Sequence, residues 1–412
     1  MTTPTAERTD ESASSFAILL RDRVFAPFFF ANSLSNTGNW FQNVAAGIVV
    51  YDLTGSNTAV GAVSIVQFIA TMLLTPWMGA LTDRVNRRHM LLAGQSIAFA
   101  GASALAVTVI VVGIDGLPGP WPIYAATAVI GLGAATILPS LQAVVPSLVE
   151  RRDLDRAIAL NSMTFNIARS VGPIAAGATV AALGAEWAFG INALTFVPLL
   201  VVLLVIRPRG EVEPGDGATT GVGEGVAWVR ERPAVIAVLV ATLAVGWTSD
   251  PFSTLMPAMA ETLGGGDATV GLLVGSFGLG AAVTAPFFDR VIGLVGRARV
   301  VPTALAIVAV GLTTLALAPV TAVALLGALL SGSGFLLGVT GTNSELQKAM
   351  PEQLRGRVMA WWSVAFLGCR PVAAVVDGAV ADLTDVRVAI GVAAAVALSA
   401  SLIGLRRGFT TA

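Results

Sequence analysis

Charge is scarce in this chain. Only 12% of its 412 residues are Asp, Glu, Lys or Arg, about half the share of a soluble domain, while 55% are hydrophobic, which does not fit a water-soluble globule. Cysteine and histidine occur once each, as Cys369 and His89. That excludes an intrachain disulfide, a CxxC site and any His/Cys metal cluster. The 24 basic and 25 acidic residues nearly cancel, so there is no basic surface for a nucleic-acid partner. The runs GSFGLG from Gly275 and SGSGFLLG from Ser331 lack the Lys and the strand context of a phosphate loop and fall in apolar segments, so they read as close-packing glycines. No His/Ser/Asp constellation is present to make an enzyme, and no metal or cofactor is expected. The first fifteen residues are polar, and the AILL run after them is interrupted by Arg21 and Arg23, so a disordered tail rather than a cleavable signal is expected.

What the chain has in abundance is apolar segments of membrane-crossing length, about 20 residues each. Twelve are predicted, at 26–51, 58–81, 90–112, 121–144, 158–183, 187–206, 234–257, 269–289, 300–318, 321–343, 358–381 and 387–405. Basic residues in membrane proteins concentrate in cytoplasmic loops. With the N-terminus inside, 21 of the 24 basic residues fall in the N-terminal tail, the even-numbered breaks and the C-terminal tail, leaving Arg387 at an outer break and Arg169 and Arg370 within spans. An odd number of spans would scramble this pattern. The expectation is an all-α integral membrane protein of twelve spans with both termini cytoplasmic.

The longest break, Gly210 to Pro233, is rich in Gly and acid and reads as a linker. The segments around it repeat. LQAVVP from Leu141 parallels LQKAMP from Leu346, and Arg156 followed 13 residues on by Arg169 parallels Arg357 followed 13 residues on by Arg370. The expected organisation is an N-terminal tail (1–23), a six-helix half (24–208), a cytoplasmic linker (209–233), a second six-helix half (234–406) and a C-terminal tail (407–412).

Between the second and third spans lies Gly79-Ala80-Leu81-Thr82-Asp83-Arg84-Val85-Asn86-Arg87-Arg88. This resembles the G-x-L-x-D-R-x-x-R-R signature of the major facilitator superfamily, whose two six-helix halves match the internal repeat. Physically, Gly79 permits close helix approach and Asp83 can accept from amides at a helix N-terminus. Arg84, Arg87 and Arg88 can pair with acids of a neighbouring loop, for which Glu150 and Asp153 are candidates. The resemblance implies a gating role for Gly79, Asp83, Arg84, Arg87 and Arg88; the alternative is that the arginines only fix orientation. The second-half copy is degenerate, with Asp289-Arg290 and Gly296-Arg297 but no compact motif.

Four further stretches, NWFQNVAAGIVVYDLTGS from Asn39, VPSLVERRDLDRAIALNS from Val145, ARSVGPIAAG from Ala168 and MPEQLRGRVMA from Met350, resemble the enterobactin-exporter-like branch of that superfamily. That branch exports siderophores, macrolides and other natural products. Gly172-Pro173 followed by Gly177 resembles the tail of the superfamily's antiporter motif, without its upstream glycines. The alternative for this stretch is a Pro kink with small residues for tight packing.

Charges far from both membrane surfaces are costly unless they face protein or water. Arg169 lies about 20 Å along its helix from Arg156, and Arg370 reaches a matching depth in the other half. Each suits either an anionic substrate or an interhelical pairing. Asp250, between Thr248-Ser249 and Pro251, is the first candidate for a proton-carrying carboxylate, with a capped kink near the outer mouth as the alternative. Asp377, two turns beyond Arg370 on the same face, is the second candidate, unless it is merely solvated. Asn32, Asn36, Asn39 and Asn43 form one polar stripe on the first span. The stripe must face the interior; the family resemblance implies substrate contacts, and plain interhelical hydrogen bonds would need the same residues. Trp40, Trp247, Trp361 and Trp362 can stack on a flat substrate or simply pack.

The combined expectation is a monomeric transporter in the bacterial plasma (inner) membrane, its partners being the lipid bilayer, a small amphipathic substrate and protons, which exports the substrate by alternating access in exchange for protons. The rivals are a proton-coupled uptake symporter of the same fold and a transport-inactive membrane receptor or scaffold.

Overall fold

The computed structural model describes residues 19–82, 85–206, 228–350, 355–407 and 409. Its principal helices are α1 (Phe25–Thr54), α2 (Asn57–Thr82), α3 (Arg87–Val112), α4 (Trp121–Leu148), α5 (Leu154–Leu183), α6 (Ala185–Val205), α7 (Pro233–Trp247), α8 (Pro251–Thr254), α9 (Met256–Thr262), α10 (Asp267–Thr284), α11 (Phe288–Val295), α12 (Arg297–Ala316), α13 (Thr321–Ala349), α14 (Arg355–Leu383) and α15 (Val386–Arg407). No strand occurs among the described residues. Among the described residues nine stretches are long and apolar enough to cross a membrane, and the shorter stretches Asn57–Ile69 and Ile167–Leu183 are also apolar. The helix carrying the asparagine stripe, α1, is not among the nine.

The seventh predicted span is not one continuous helix. It breaks into α7, α8 and α9, because Pro251 and Pro257 each lack an amide proton and sit in the first turn of a new helix. The eighth continues past its predicted end through a tight turn at Ala285–Phe287 into α11.

Helix contacts repeat six spans apart. Pairs α3/α4, α2/α4, α3/α6 and α1/α5 are matched by α12/α13, α10/α13, α12/α15 and α7/α14. The sets are joined chiefly by α5 with α10 and α2 with α14. Neither joint has a hydrophobic driving force in lipid, so backbone proximity carries it. A Cβ at Gly271 would lie 2.5 Å from the Pro173 carbonyl oxygen, and one at Gly177 would lie 2.5 Å from that of Asp267. At α2/α14, a Cβ on Gly61 would lie 2.7 Å from the Ala374 carbonyl oxygen.

The two sets are packed unequally along their length. Every residue of α1 from Val44 to Val50 is buried, as is every residue from Thr248 to Ala260 except Ser253. Most of their hydrophobic residues belong to one apolar cluster that runs through both sets. At the other end of α1, Phe30 and Leu34 are exposed, and a separate cluster around Phe25, Phe28, Leu91, Leu148 and Leu199 draws only on the first set. The sets therefore merge at the end bearing the α1–α2 turn.

Candidate functional site

The asparagine stripe divides into two parts. Asn32 Nδ2 donates to Asn161 Oδ1 (2.9 Å) and Asn36 Nδ2 to Thr164 Oγ1 (3.4 Å), tying α1 to α5. Asn39 and Asn43 are partly exposed and have no hydrogen-bond partner among the described residues. Polar neighbours off the stripe hold the helix in place: Asn192 donates to Gln42 (2.7 Å), and Ser35 and Gln95 share a bond.

Arg169 and Arg370 make no ion pair among the described residues, so the interhelical pairing alternative is not realised as a salt bridge. Each lies instead on aromatic rings of the opposite set. The Arg169 guanidinium, from α5, lies 4.7 Å from the ring centre of Phe277 on α10, 4.3 Å from Phe335 on α13 and 5.3 Å from Trp40 on α1. Arg370, from α14, lies 4.5 Å from Phe68 on α2 and donates to Ser253 Oγ (3.1 Å). The Nε of each is buried without an acceptor. Such contacts are worth about 0.5–2 kcal/mol apiece, and a ring face gives the Nε–H of neither arginine an acceptor.

The carboxylates stand beside them. Asp250 and Asp377 are both fully buried, so the solvated alternative for Asp377 is not what the structure shows. Asp250 occupies the break between α7 and α8. Its Oδ2 accepts from Thr254 Oγ1 (2.9 Å), its carbonyl oxygen accepts from the Ser253 and Thr254 amides, and its Oδ1 has no partner. Asp377 Oδ1 accepts from the Trp247 indole (3.3 Å), and its Oδ2 has no partner. Arg370 donates from Nη2 to Ser253, three residues from Asp250, and Phe252 beside the same break stacks on the Phe277 ring that lies under the Arg169 guanidinium. Four ionisable groups from both sets thus converge on the break between α7 and α8, the carboxylates buried and the arginines partly exposed, each with one buried polar atom unsatisfied. Ionisable groups so placed mark substrate and ion pathways.

A line of rings, missed in the sequence, adjoins this cluster. Phe252 stacks on Phe277 (4.2 Å between centroids), followed by Phe335 (5.3 Å), Phe366 (5.9 Å) and Trp362 (5.1 Å from Phe366). The indole of Trp362 donates to Thr342. Of these residues only Trp362 stood out in the sequence; the phenylalanines lie in separate apolar runs with no shared spacing. Trp361 is partly buried and takes no part in the line.

Gly172 seats α1 against α5, since a Cβ there would lie 2.8 Å from both the Thr37 carbonyl oxygen and the Trp40 Cβ. Gly177 and the Pro173 carbonyl seat α10 against the same helix. The Gly-Pro stretch therefore holds α5 between the two sets.

The predicted gating motif is described only in part. Asp83 and Arg84 lie outside the described residues, as does the side-chain environment at Gly79. Arg87 and Arg88 open α3, whose first turn is capped by the Asn86 side chain accepting from the amides of Arg88 (3.0 Å) and His89 (3.3 Å). The expected pairing of Arg88 with Glu150 or Asp153 is replaced by another contact: Arg88 donates from Nε to the Leu203 carbonyl and from Nη2 to that of Leu204 (2.7 Å). The last carbonyls of α6 have no intrahelical donor and carry the negative end of its dipole, which favours a cation there. Glu150 and Asp153 pair instead with Arg152 and Arg156.

An all-helical bundle with buried unpaired charges between two similarly packed sets is a membrane transporter of the major facilitator type. The solved structures it resembles agree on the fold. The nucleoside transporter NupG superposes with a TM-score of 0.77 at 12% identity, covering 92% of this chain and 98% of that one. A bacterial homologue of the iron transporter ferroportin in an inward-facing state superposes with a TM-score of 0.72 at 19% identity, covering 93% and 98%. The chain belongs to the transmembrane secretion effector family, whose model matches residues 13–410. Among curated relatives, the enterobactin exporter EntS of Salmonella typhi is 27% identical over 363 residues, 85% of this chain and 83% of that one. The staphyloferrin A transporter of Staphylococcus aureus is 27% identical over 193 residues, about half of each chain.

Proposed function

We propose that the protein is a twelve-span exporter of the bacterial inner membrane, acting as a monomer with both termini in the cytoplasm. It moves an amphipathic small molecule outward by alternating access in exchange for protons. The halves are residues 24–208 and 234–406, joined by the linker at 209–233. The distribution of basic residues supports this orientation, the packing repeat supports the halves, and the exporter among the relatives supports the direction.

The observation that carries the proposal is the convergence of Asp250, Asp377, Arg370 and Arg169, drawn from both halves, on the break between α7 and α8, each with an unsatisfied buried atom. Asp250 and Asp377 are the proton carriers. Arg169, the adjoining rings and the free amides of Asn39 and Asn43 are substrate contacts, a combination suited to a flat molecule bearing negative or carbonyl oxygens, such as a siderophore or related natural product. The motif Gly79, Asp83, Arg84, Arg87 and Arg88 serves in gating, with Arg88 also anchoring α6. Gly172, Pro173 and Gly177 hold the joint on which the halves move.

The test is accumulation of hydrophobic dyes, antibiotics and siderophores in cells expressing the wild type or Asp250→Asn, with and without a protonophore. Lowered accumulation of a panel compound that the protonophore abolishes and Asp250→Asn cannot produce is the expected result. Raised accumulation would make the protein an uptake symporter, and a wild-type effect preserved in Asp250→Asn would remove the carboxylate from the mechanism.

A further inference from the structure

The cluster accounts for Asp250, Asp377, Arg169 and Arg370 but not for Asp382, in the last turn of α14. Its carboxylate is satisfied entirely by the opposite half. Oδ1 accepts from the Asn57 amide (2.7 Å) and from Asn57 Nδ2 (3.0 Å); Oδ2 accepts from Ser56 Oγ (2.7 Å) and the Thr58 amide (3.0 Å). The two amides belong to the first turn of α2, where amides have no partner of their own helix and the dipole attracts an anion. A residue of one half thus completes the helix start of the other.

The neighbouring contacts make this a closure rather than an isolated bond. Gly378, one turn before Asp382, lets α14 approach α2 so closely that a Cβ there would lie 2.8 Å from the Thr58 Cα. On the other side of the same mouth, Tyr51 at the end of α1 donates to Glu261 at the end of α9 (2.8 Å). All of these contacts lie at the α1–α2 end, where the two sets share one core. Asp382 is exposed and Ser56 half-buried, so water stands ready to replace the bonds when the mouth opens.

We infer that Asp382 is the latch of the outer gate: its carboxylate, docked on the start of α2, holds the outer mouth shut, and it must leave that site each time the protein opens outward. This rests on the alternating-access reading above, but the test needs no substrate and so fails or succeeds separately from the assignment of export.

Full-length protein in liposomes, with spin labels on the exposed outer-loop positions Asp115 and Val320 of the two halves, reports the separation of the halves by pulsed electron resonance. Asp382→Ala is expected to raise the ratio of long to short distances about tenfold, as loss of several charge-assisted hydrogen bonds at a solvated site implies. Asp382→Asn, which keeps the shape and can still accept at one oxygen, is expected to raise it less. Unchanged distributions in both would overturn the latch. Should Asp382→Ala not fold, the pair Ser56→Cys with Asp382→Cys in a Cys369→Ser background decides the matter. Oxidation is expected to collapse the distribution onto its short component and reduction to restore it, and a distribution indifferent to oxidation rejects the proposal.

Discussion

Gly271→Ala is the sharpest probe of how the two halves meet. In an ordinary helix interior this change stabilises by up to about 1 kcal/mol, because Gly has more backbone freedom to lose. At Gly271 the new methyl would lie 2.5 Å from the Pro173 carbonyl oxygen and 2.9 Å from the Gly177 Cα. Ordinary contact to an oxygen begins roughly 1 Å further out, and the obstructing atoms are backbone, so no rotamer change relieves the clash. Helices α5 and α10 must separate, at an overpacking cost of about 1–3 kcal/mol that outweighs the propensity gain. Gly190→Ala is the matched control: it sits in α6 with nothing within 4 Å of its Cβ position, so only the gain remains. The two variants are expected to move stability in opposite directions, about 2 kcal/mol apart, in a denaturing-detergent titration of purified protein followed by tryptophan fluorescence. Gly177→Ala, facing the same contact, should cost a similar amount, and the double variant less than the sum, since helices already separated admit the second methyl cheaply. If Gly271→Ala matched Gly190→Ala, the close approach of α5 and α10 would be refuted.

Removing the Arg88 side chain leaves the last carbonyls of α6 without donors, so Arg88→Ala should cost about 1–3 kcal/mol in the same titration, and Arg88→Lys should recover only part because an ammonium cannot span both carbonyls. Phe277→Ala, which removes the ring between Phe252, Phe335 and Arg169, should cost about 3–5 kcal/mol; a double-mutant cycle with Arg169→Gln should return a coupling of about 0.5–2 kcal/mol, and no coupling would mean the guanidinium gains nothing from the ring. The two parts of the asparagine stripe should separate by assay. Asn32→Leu, which strands Asn161, lowers stability by about 1–2 kcal/mol, whereas Asn39→Leu leaves the titration unchanged and alters which panel compounds accumulate in cells.

The bundle was legible because its signals are local. Runs of apolar residues announce helices one at a time, and the interval from Arg156 to Arg169, matched by Arg357 to Arg370, announces the repeat without any tertiary knowledge. Pro251 marked where the seventh span could unwind beside Asp250, although the span itself read as one continuous helix. What the sequence hid is whatever depends on which helix lies opposite. Phe68, Phe277 and Phe335 are ordinary apolar residues until α2, α10 and α13 place them under a guanidinium from the other half. Arg88 was expected to pair with Glu150 or Asp153 of a neighbouring loop, yet it caps the Leu203 and Leu204 carbonyls, which no residue type advertises. Asp382 carried no signal in the sequence, because two of its partners are backbone amides of a helix more than three hundred residues away.

The broken seventh span and the paired arginines have a common physical logic. Backbone at membrane depth is tolerated outside a helix only where protein or a water-lined cavity satisfies it, and from Thr248 to Ala260 the break is almost wholly enclosed. Its amides are tied off locally, with Asp250 accepting from Ser253 and Thr254 through its carbonyl, so the strain is contained while one carboxylate oxygen is left free. That oxygen, the free oxygen of Asp377 and the two free guanidinium nitrogens are unsatisfied in the conformation closed at the α1–α2 end. A buried charge left unsatisfied costs free energy that a partner would recover. A conformation that brings the carboxylates and guanidiniums together, or a proton or anion that satisfies them in place, lowers that cost. The same residues can therefore couple an ion, a substrate and the movement of the halves, because each of the three relieves a penalty that the other two also relieve.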